Sequence, residues 1–238
     1  MDLQLALERL KGNDPSFHQL DLTNNSIKDD DVTLLAEALK GNTTIQQLNL
    51  RDNNIGAIGA RELAEALKGS GLSRSTGGRN TSLQQVNLKN NYIGKEGARY
   101  LAEALKFNDE TGGSNTSLKK LNLSNNDIGD EGARDLAEAL KDNTTLQELS
   151  LGDNNIRDEG AIHIAEALNF SRNTSLKKLN LGGNEIGENG TKQLAEALKV
   201  NTTLNLVVGE FYLLLKPRLI VWLHYLLWYY PLNQVVEE

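Results

Sequence analysis

The sequence predicts an α/β solenoid, a right-handed horseshoe with parallel strands on its concave face and helices on its convex face. A motif of the form LxxLxLxxNxI recurs along the chain, and a segment similar to GARxLAEALK follows each copy. One asparagine of this motif recurs at intervals of 28, 38, 35, 28 and 30 residues. It stands at Asn25, Asn53, Asn91, Asn126, Asn154 and Asn184. Self-similarity at a nearly fixed period indicates stacked units that share one continuous core.

Each unit divides into a strand half and a helix half. The segment LQQVNL at residues 83–88 alternates apolar and polar residues, which is typical of a half-buried strand. The segment that follows places Ala98, Leu101 and Leu105 on one helical face. Strands pack about 4.8 Å apart whereas helices are about 10 Å wide, so the sheet should line the inside of the curve.

Glycine recurs in the first turn of the helix half. Glycine at this position, as at Gly97, costs about 0.5–1 kcal/mol relative to alanine. Its recurrence therefore predicts a backbone that is packed too closely for a side chain. In the fourth unit we expect Asp130 to be the N-cap of its own helix.

The recurring asparagines have a predicted structural role. A buried carboxamide can both donate and accept hydrogen bonds, so stacked asparagines can satisfy backbone groups in the turn after each strand. A second set of asparagines forms seven N-x-S/T sequences. These are Asn24, Asn42, Asn80, Asn115, Asn143, Asn173 and Asn201. Six of them directly follow a helix half, where asparagine suits a C-terminal cap, so we expect a structural role rather than glycosylation.

Three regions are predicted along the chain. Residues 1–15 form an N-terminal helix or half-repeat cap, and residues 16–203 hold six repeats with insertions at 69–80 and 107–115. Residues 204–238 are rich in aromatics and carry three competing interpretations: a C-terminal cap, a membrane-associating tail through residues 211–230, or an accidental end. A full membrane span is disfavoured because residues 216–218 interrupt the apolar stretch, which leaves less than the roughly 20 residues needed.

The repeat pattern resembles the leucine-rich repeats of the ribonuclease-inhibitor-like class over about residues 16–203. It is similar to the repeats of NOD-like receptors, Ran GTPase-activating proteins and bacterial leucine-rich repeat effectors. The resemblance implies a protein-interaction module rather than an enzyme. Ribonuclease-inhibitor repeats are rich in cysteine and this chain has none, so ribonuclease binding is not expected. The acidic C-terminal region of the Ran GTPase-activating family is also missing.

The concave face is the predicted binding surface, because solenoids present their strands there. Its candidate residues are Gln47, Asn49, Arg51, Gln85, Asn87, Lys89, Lys120, Asn122, Ser124, Glu148, Ser150, Lys178 and Asn180. Four basic residues stand there against Glu148, which predicts a mildly basic surface. Tyr92 is the one aromatic at the variable loop position and is a candidate hot spot. The competing interpretation is that these side chains only keep the array soluble.

The composition disfavours or excludes several classes of function and of functional site. A net charge of −7 disfavours nucleic-acid binding, and the absence of cysteine excludes disulfides, thiolate metal sites and cysteine nucleophiles. The histidines are scattered without metal-ligand spacing, so no cofactor, metal or catalytic site is expected. We expect a cytoplasmic monomer, or alternatively a peripheral membrane protein. The alternative functions are a GTPase-activating or other enzyme-regulating protein and a membrane-associated adaptor.

Overall fold

The computed structural model describes residues 2–68, 80–106, 117–169, 175–201 and 203–208. Within these ranges, seven helices alternate with seven strands. The helices are α1 (Leu3–Lys11), α2 (Asp29–Lys40), α3 (Ala57–Lys68), α4 (Gly94–Leu105), α5 (Gly129–Asp142), α6 (Asp158–Leu168) and α7 (Glu188–Val200). The strands are β1 (Gln19–Asp21), β2 (Gln47–Asn49), β3 (Gln85–Asn87), β4 (Lys120–Asn122), β5 (Glu148–Ser150), β6 (Lys178–Asn180) and β7 (Asn205–Val207). The strands form one parallel sheet in sequence order, which confirms the predicted α/β solenoid.

The strands pair so that equivalent positions of successive units lie side by side. Gln47 pairs with Gln85, and Lys120 pairs with Glu148. The middle residue of each strand is buried, and the two flanking residues are exposed or half-buried. Side chains of one position therefore stack in columns across the sheet.

The core lies between the sheet and the helices. Its leucine, isoleucine and alanine side chains come from every repeat and are nearly inaccessible to solvent. The helices approach closely where glycine recurs. A Cβ atom on Gly97 would lie 2.6 Å from Ile93 Cγ2 and 3.0 Å from Ala60 Cβ, so the predicted close backbone contact is confirmed.

The first asparagine ladder fills the turn after each strand. Asn126 is 1% exposed, and its Nδ2 donates to the carbonyls of Leu88, Leu123 and Ser124 at 2.9, 3.0 and 3.1 Å. Its Oδ1 accepts the N–H of Ile93 at 3.3 Å. The corresponding residues of other units bond in the same manner: Asn53, Asn91, Asn154 and Asn184. These bonds confirm the structural role predicted for the recurring asparagine.

A second ladder joins the segment after each of three helices, α2, α3 and α5, to the helix end of the preceding repeat. Asn80 donates to the carbonyl of Leu39 at 3.0 Å, and its Oδ1 accepts the N–H of Leu83 at 2.7 Å. Asn42 and Asn143 make equivalent bonds to Leu10 and Leu105. All three asparagines are buried, which supports capping rather than glycosylation at these positions. Asn115 and Asn173 lie outside the described residues.

The predicted role of Asp130 as the N-cap of its own helix is wrong. α5 begins one residue earlier, at Gly129, where a φ of +63° suits glycine. Asp130 therefore lies in the first turn, and its Oδ1 reaches the neighbouring helix α6. It accepts the N–H groups of Arg157 at 2.8 Å and Gly160 at 2.9 Å. Asp130 thus caps the helix of the next repeat.

The C-terminal region contributes a strand before the described residues end. β7 pairs with β6 in parallel, and Leu204 and Leu206 are buried. The aromatic stretch at 211–230 lies outside the described residues, and so do nearly all residues of both insertions. Within the described ranges, no helix combines the length and apolar character that a membrane crossing needs.

Candidate protein-interaction surface

The solvent-facing side chains of the sheet form three columns, which together we call the strand face. The first column follows the first residue of each strand, from Gln47 in β2 to Lys178 in β6. The middle column follows the last strand residue, from Asn49 to Asn180. The third column lies two residues further along the chain: Arg51, Lys89, Ser124, Gly152 and Gly182. The register thus aligns the predicted residues of the first and middle columns on one side of the sheet.

The middle column is held in place by the backbone. Asn87 Oδ1 accepts the N–H of Lys89 at 3.1 Å, and Asn122 Oδ1 accepts that of Ser124 at 3.0 Å. Asn49 and Asn180 make the same contact with the residue two positions ahead. From the sequence alone, these side chains are predicted only to be surface residues. The near-uniform asparagine in this column was the signal that each one also ends its strand through an Asx turn.

In the first repeat, aspartate performs the same task. Asp21 Oδ1 accepts the N–H of Thr23 at 2.9 Å and the Thr23 hydroxyl at 2.6 Å. These two bonds lower the pKa of the Asp21 carboxyl, because they stabilise its charged form. A carboxylate can therefore replace the carboxamide in this column without loss of the turn.

The predicted basic residues are partly paired with carboxylates. Arg51 Nε lies 2.9 Å from Asp52 Oδ2. Lys120 and Lys178 share Glu148, with Nζ to Oε1 distances of 3.2 and 3.4 Å. Such exposed pairs contribute little stability, about 0–1 kcal/mol each. The lysines therefore remain available to a stronger anionic partner.

Two further lysines were missed by the sequence analysis. Lys119 and Lys177 directly precede β4 and β6, and both are exposed. Strict alternation along each strand assigned only Lys120 and Lys178 to the concave face. The repeated Lys-Lys pair before an apolar residue was the sequence signal for a larger basic patch.

The side chains of the third column become smaller from β2 to β6. Arg51 and Lys89 are long, whereas Ser124, Gly152 and Gly182 are small. Ser124 is only 5% exposed, so the structure corrects its assignment as an accessible contact. Its backbone lies in the turn that Asn126 fills, and Asn126 Nδ2 donates to its carbonyl at 3.1 Å. Backbone crowding also disfavours a side chain at position 152, because a Cβ atom on Gly152 would lie 2.9 Å from the Gly182 carbonyl oxygen.

Tyr92 lies apart from the three columns, in the loop between β3 and α4. Its side chain is 71% exposed and lines a groove of about 640 Å³ with Lys95, Asp127 and Glu131. Lys95 Nζ lies 3.0 Å from Glu131 Oε1, and Asp127 Oδ1 accepts a bond from Asn155 at 2.7 Å. Lys95 and Glu131 of this groove thus pair with each other, and the Asp127 carboxylate is held by the loop of the next repeat. Within the described ranges, no group of three or more His, Asp or Glu residues could hold a metal ion.

Five stretches of the chain match the leucine-rich repeat family model, at residues 41–64, 79–102, 114–137, 142–165 and 172–195. Together they cover just over half of the sequence. The chain belongs to the leucine-rich repeat family. This membership agrees with the resemblance that the sequence motif indicated.

Several solved structures resemble this leucine-rich repeat chain. The tropomodulin C-terminal domain of Caenorhabditis elegans has a TM-score of 0.52 and 19% identity, covering 73% of this chain and 93% of that one. A structure of leiomodin-1 actin-binding site 2 has a TM-score of 0.38 and 21% identity, with coverages of 93% and 86%. An internalin of Listeria monocytogenes has a TM-score of 0.40 and 18% identity, with coverages of 76% and 37%. The tropomodulin likeness shows a shared fold. A search of curated proteins by sequence found no significant match.

Proposed function

We propose that this chain is a non-catalytic protein-interaction module that binds a protein partner on the strand face. The observation that carries the proposal is the in-register row of polar side chains across β2–β6, in which the asparagines of β2, β3, β4 and β6 are held by backbone hydrogen bonds. Side chains that are already ordered lose little conformational entropy on binding. Membership of a repeat family whose units form extended binding surfaces supports the same function.

The proposal includes a cytoplasmic monomer that needs no cofactor and no nucleic acid. The absence of cysteine and the net charge of −7 support these parts of it. The burial of Asn42, Asn80 and Asn143 also fits a chain that folds without glycans at these positions. No observation on the described residues favours a GTPase-activating or membrane-anchored function over this one.

Photo-crosslinking from defined positions tests the proposal. A photoreactive amino acid replaces Gln85 on the strand face or, as the control, Arg134 on the exposed side of α5. In extracts of the source cells, position 85 should give a discrete covalent product with a protein, and position 134 should not. A product from position 134 alone would move the site to the helices. No product from either position would count against a binding module.

A further inference from the structure

The strand face over β4–β6 concentrates positive charge in an acidic protein. The segments 119–124, 147–152 and 177–182 contain four lysines and a single glutamate, although the chain carries a net charge of −7. The lysines are Lys120 and Lys178 of the first column together with Lys119 and Lys177, which directly precede β4 and β6 beside that column; we call the four the lysine patch. Lys119 and Lys177 are exposed and make no ion pair with the described residues. Glu148 is shared by the other two, so it neutralises only part of the patch.

The neighbouring middle column offers hydrogen-bond donors. In Asn87, Asn122 and Asn180 the Oδ1 atom already accepts a backbone N–H. These three side chains are half-buried, and their Nδ2 groups donate no hydrogen bond within the described ranges. One lone pair of each carboxamide oxygen is thus engaged, whereas the Nδ2 donor is free. The free donors of this column favour a ligand that is rich in acceptors.

The third column leaves room for a ligand backbone beside these donors. Over β4–β6 it consists of Ser124, Gly152 and Gly182, which present almost no side chain to solvent. Strands are about 4.8 Å apart, so the path from β3 to β6 is roughly 14 Å long. An extended peptide rises about 3.3 Å per residue, so about four residues would cover this path.

We infer that this part of the strand face binds an acidic protein segment, extended across β3–β6, with its carboxylates at the lysine patch. The inference rests on the proposed strand-face function and adds the chemistry of the partner. Charge complementarity and a donor-rich column both select carboxylates. A single-stranded nucleic acid is disfavoured because the three columns contain no aromatic side chain on which bases could stack.

Fluorescence anisotropy with short labelled peptides tests the inference on the full chain. The probe is a peptide of alternating aspartate and glycine, compared with an asparagine–glycine peptide of equal length. The acidic peptide should bind, with an affinity that falls as salt is added, and the neutral peptide should not. The double variant Lys120→Gln/Lys178→Gln should bind about tenfold more weakly. The control Arg134→Gln/Lys192→Gln removes the same charge from the helix face and should leave binding unchanged.

A second variant tests the role of the Asn122 Nδ2 donor while it preserves the fold. Asn122→Asp keeps an oxygen to accept the Ser124 N–H, as Asp21 does for Thr23, but replaces the free donor with an acceptor. The melting temperature should stay unchanged while affinity for the acidic peptide falls about tenfold. Asn189→Asp, an exposed position at the start of α7, introduces the same charge as a control and should not affect binding.

The experiments distinguish an error in the inferred acidic partner from an error in the proposed strand-face function. Equal binding of the neutral and acidic peptides, or of Asn122→Asp and the unaltered chain, overturns the inference. Binding of a thymidine oligonucleotide without binding of the acidic peptide also overturns it and identifies a nucleic-acid surface. If the acidic peptide does not bind but position 85 still crosslinks to a protein, the proposed strand-face function stands and only the inference of an acidic partner is wrong. If the acidic peptide does not bind and position 85 gives no crosslinked product, the proposed function is wrong as well.

Discussion

Asparagine performs three different tasks within one repeat. Asn126 fills the buried turn after β4, Asn143 joins the end of α4 to the strand that follows α5, and Asn122 ends its own strand. Each task uses the same property, a carboxamide that donates and accepts at once. The three differ in burial, since Asn126 and Asn143 are inaccessible while Asn122 is half-exposed. Only the third is therefore available to a partner.

Removal of the buried Asn126 carboxamide should lower the free energy of unfolding. Asn126→Ala deletes the bonds to the carbonyls of Leu88, Leu123 and Ser124 and to the N–H of Ile93. Each buried group left without a partner costs about 1–3 kcal/mol, so we expect a loss of roughly 3 kcal/mol in the free energy of unfolding. Urea denaturation measures it. Asn54→Ala, at an exposed position of the same type of loop, is the control and should change stability by less than about 0.5 kcal/mol.

Asp14 should titrate well below the ordinary range of aspartate. Bonds from the Ser16 hydroxyl, the Ser16 N–H and Arg9 lower the pKa of its carboxyl from 3.8 to about 2. A lowered pKa in the folded state means that these bonds stabilise the fold above the unfolded pKa. The contribution is then lost as the pH falls from about 4 towards 2. A carbon-detected NMR titration should show this low midpoint, which Ser16→Ala should raise. Thr23→Ala should instead raise the pKa of Asp21 and leave Asp14 unchanged.

At the scale of elements, the starts of α3, α6 and α7 each depend on an aspartate of the repeat before them. Asp29 Oδ1 accepts the N–H of Gly56, and Asp158 Oδ1 accepts that of Gly190, at 2.7 and 2.8 Å. Asp130 repeats this contact toward α6. Such bonds couple neighbouring units, so the stability of one repeat includes an interface with the next.

Loss of one inter-repeat cap should destabilise the array by the amount typical of an N-cap. Asp130→Ala removes the acceptor for the N–H groups of Arg157 and Gly160, and we expect a loss of about 1 kcal/mol. Hydrogen exchange at the start of α6 should become faster, while the start of α5 should be little affected. Asp135→Ala is the control, because the Asp135 carboxylate lies 3.7 Å from exposed Arg134 of its own helix, a pair that contributes little stability. Faster exchange in α5 instead would restore Asp130 as the cap of its own helix.

The sequence predicts elements better than it predicts contacts between repeats. The period of the leucines and asparagines was sufficient for the strand and helix halves, because the same residues face the core in every unit. The cap role of Asp130 was misassigned because its partners lie 27 and 30 residues away, in the next repeat. The burial of Ser124 was missed for a similar reason. It depends on how closely adjacent turns pack, which strict strand alternation does not encode.

At the scale of the whole molecule, the sheet is a linear array whose ends differ from its middle. Interior strands have a partner on both sides, whereas β1 and β7 each pair on one side within the described residues. Every unit buries its leucines against a neighbour, so an interior unit would expose apolar surface if the next were removed. The array should therefore lose stability when a terminal unit is removed, because the apolar surface of the unit beside it is then exposed.

Deletion of residues 204–238 tests this sensitivity at the C-terminal end. It removes β7, exposes the edge of β6, and deletes the buried side chains of Leu204 and Leu206. Burial of one leucine contributes about 1.5–3 kcal/mol, so the free energy of unfolding should fall by at least about 2 kcal/mol. The exposed edge and apolar surface should also promote association, which light scattering after size-exclusion chromatography would detect.

A shorter deletion of residues 209–238 keeps β7 and serves as the comparison. If β7 alone completes the array, this shorter chain should unfold with the same free energy as the full chain and remain monomeric. If the aromatic segment covers the last repeat, the shorter deletion should also lose stability, because the apolar surface of β7 and α7 then faces solvent. An unchanged free energy of unfolding and a clean monomer after the longer deletion would exclude capping altogether. The membrane-associating interpretation would then be tested directly, by sedimentation of the full chain with anionic lipid vesicles.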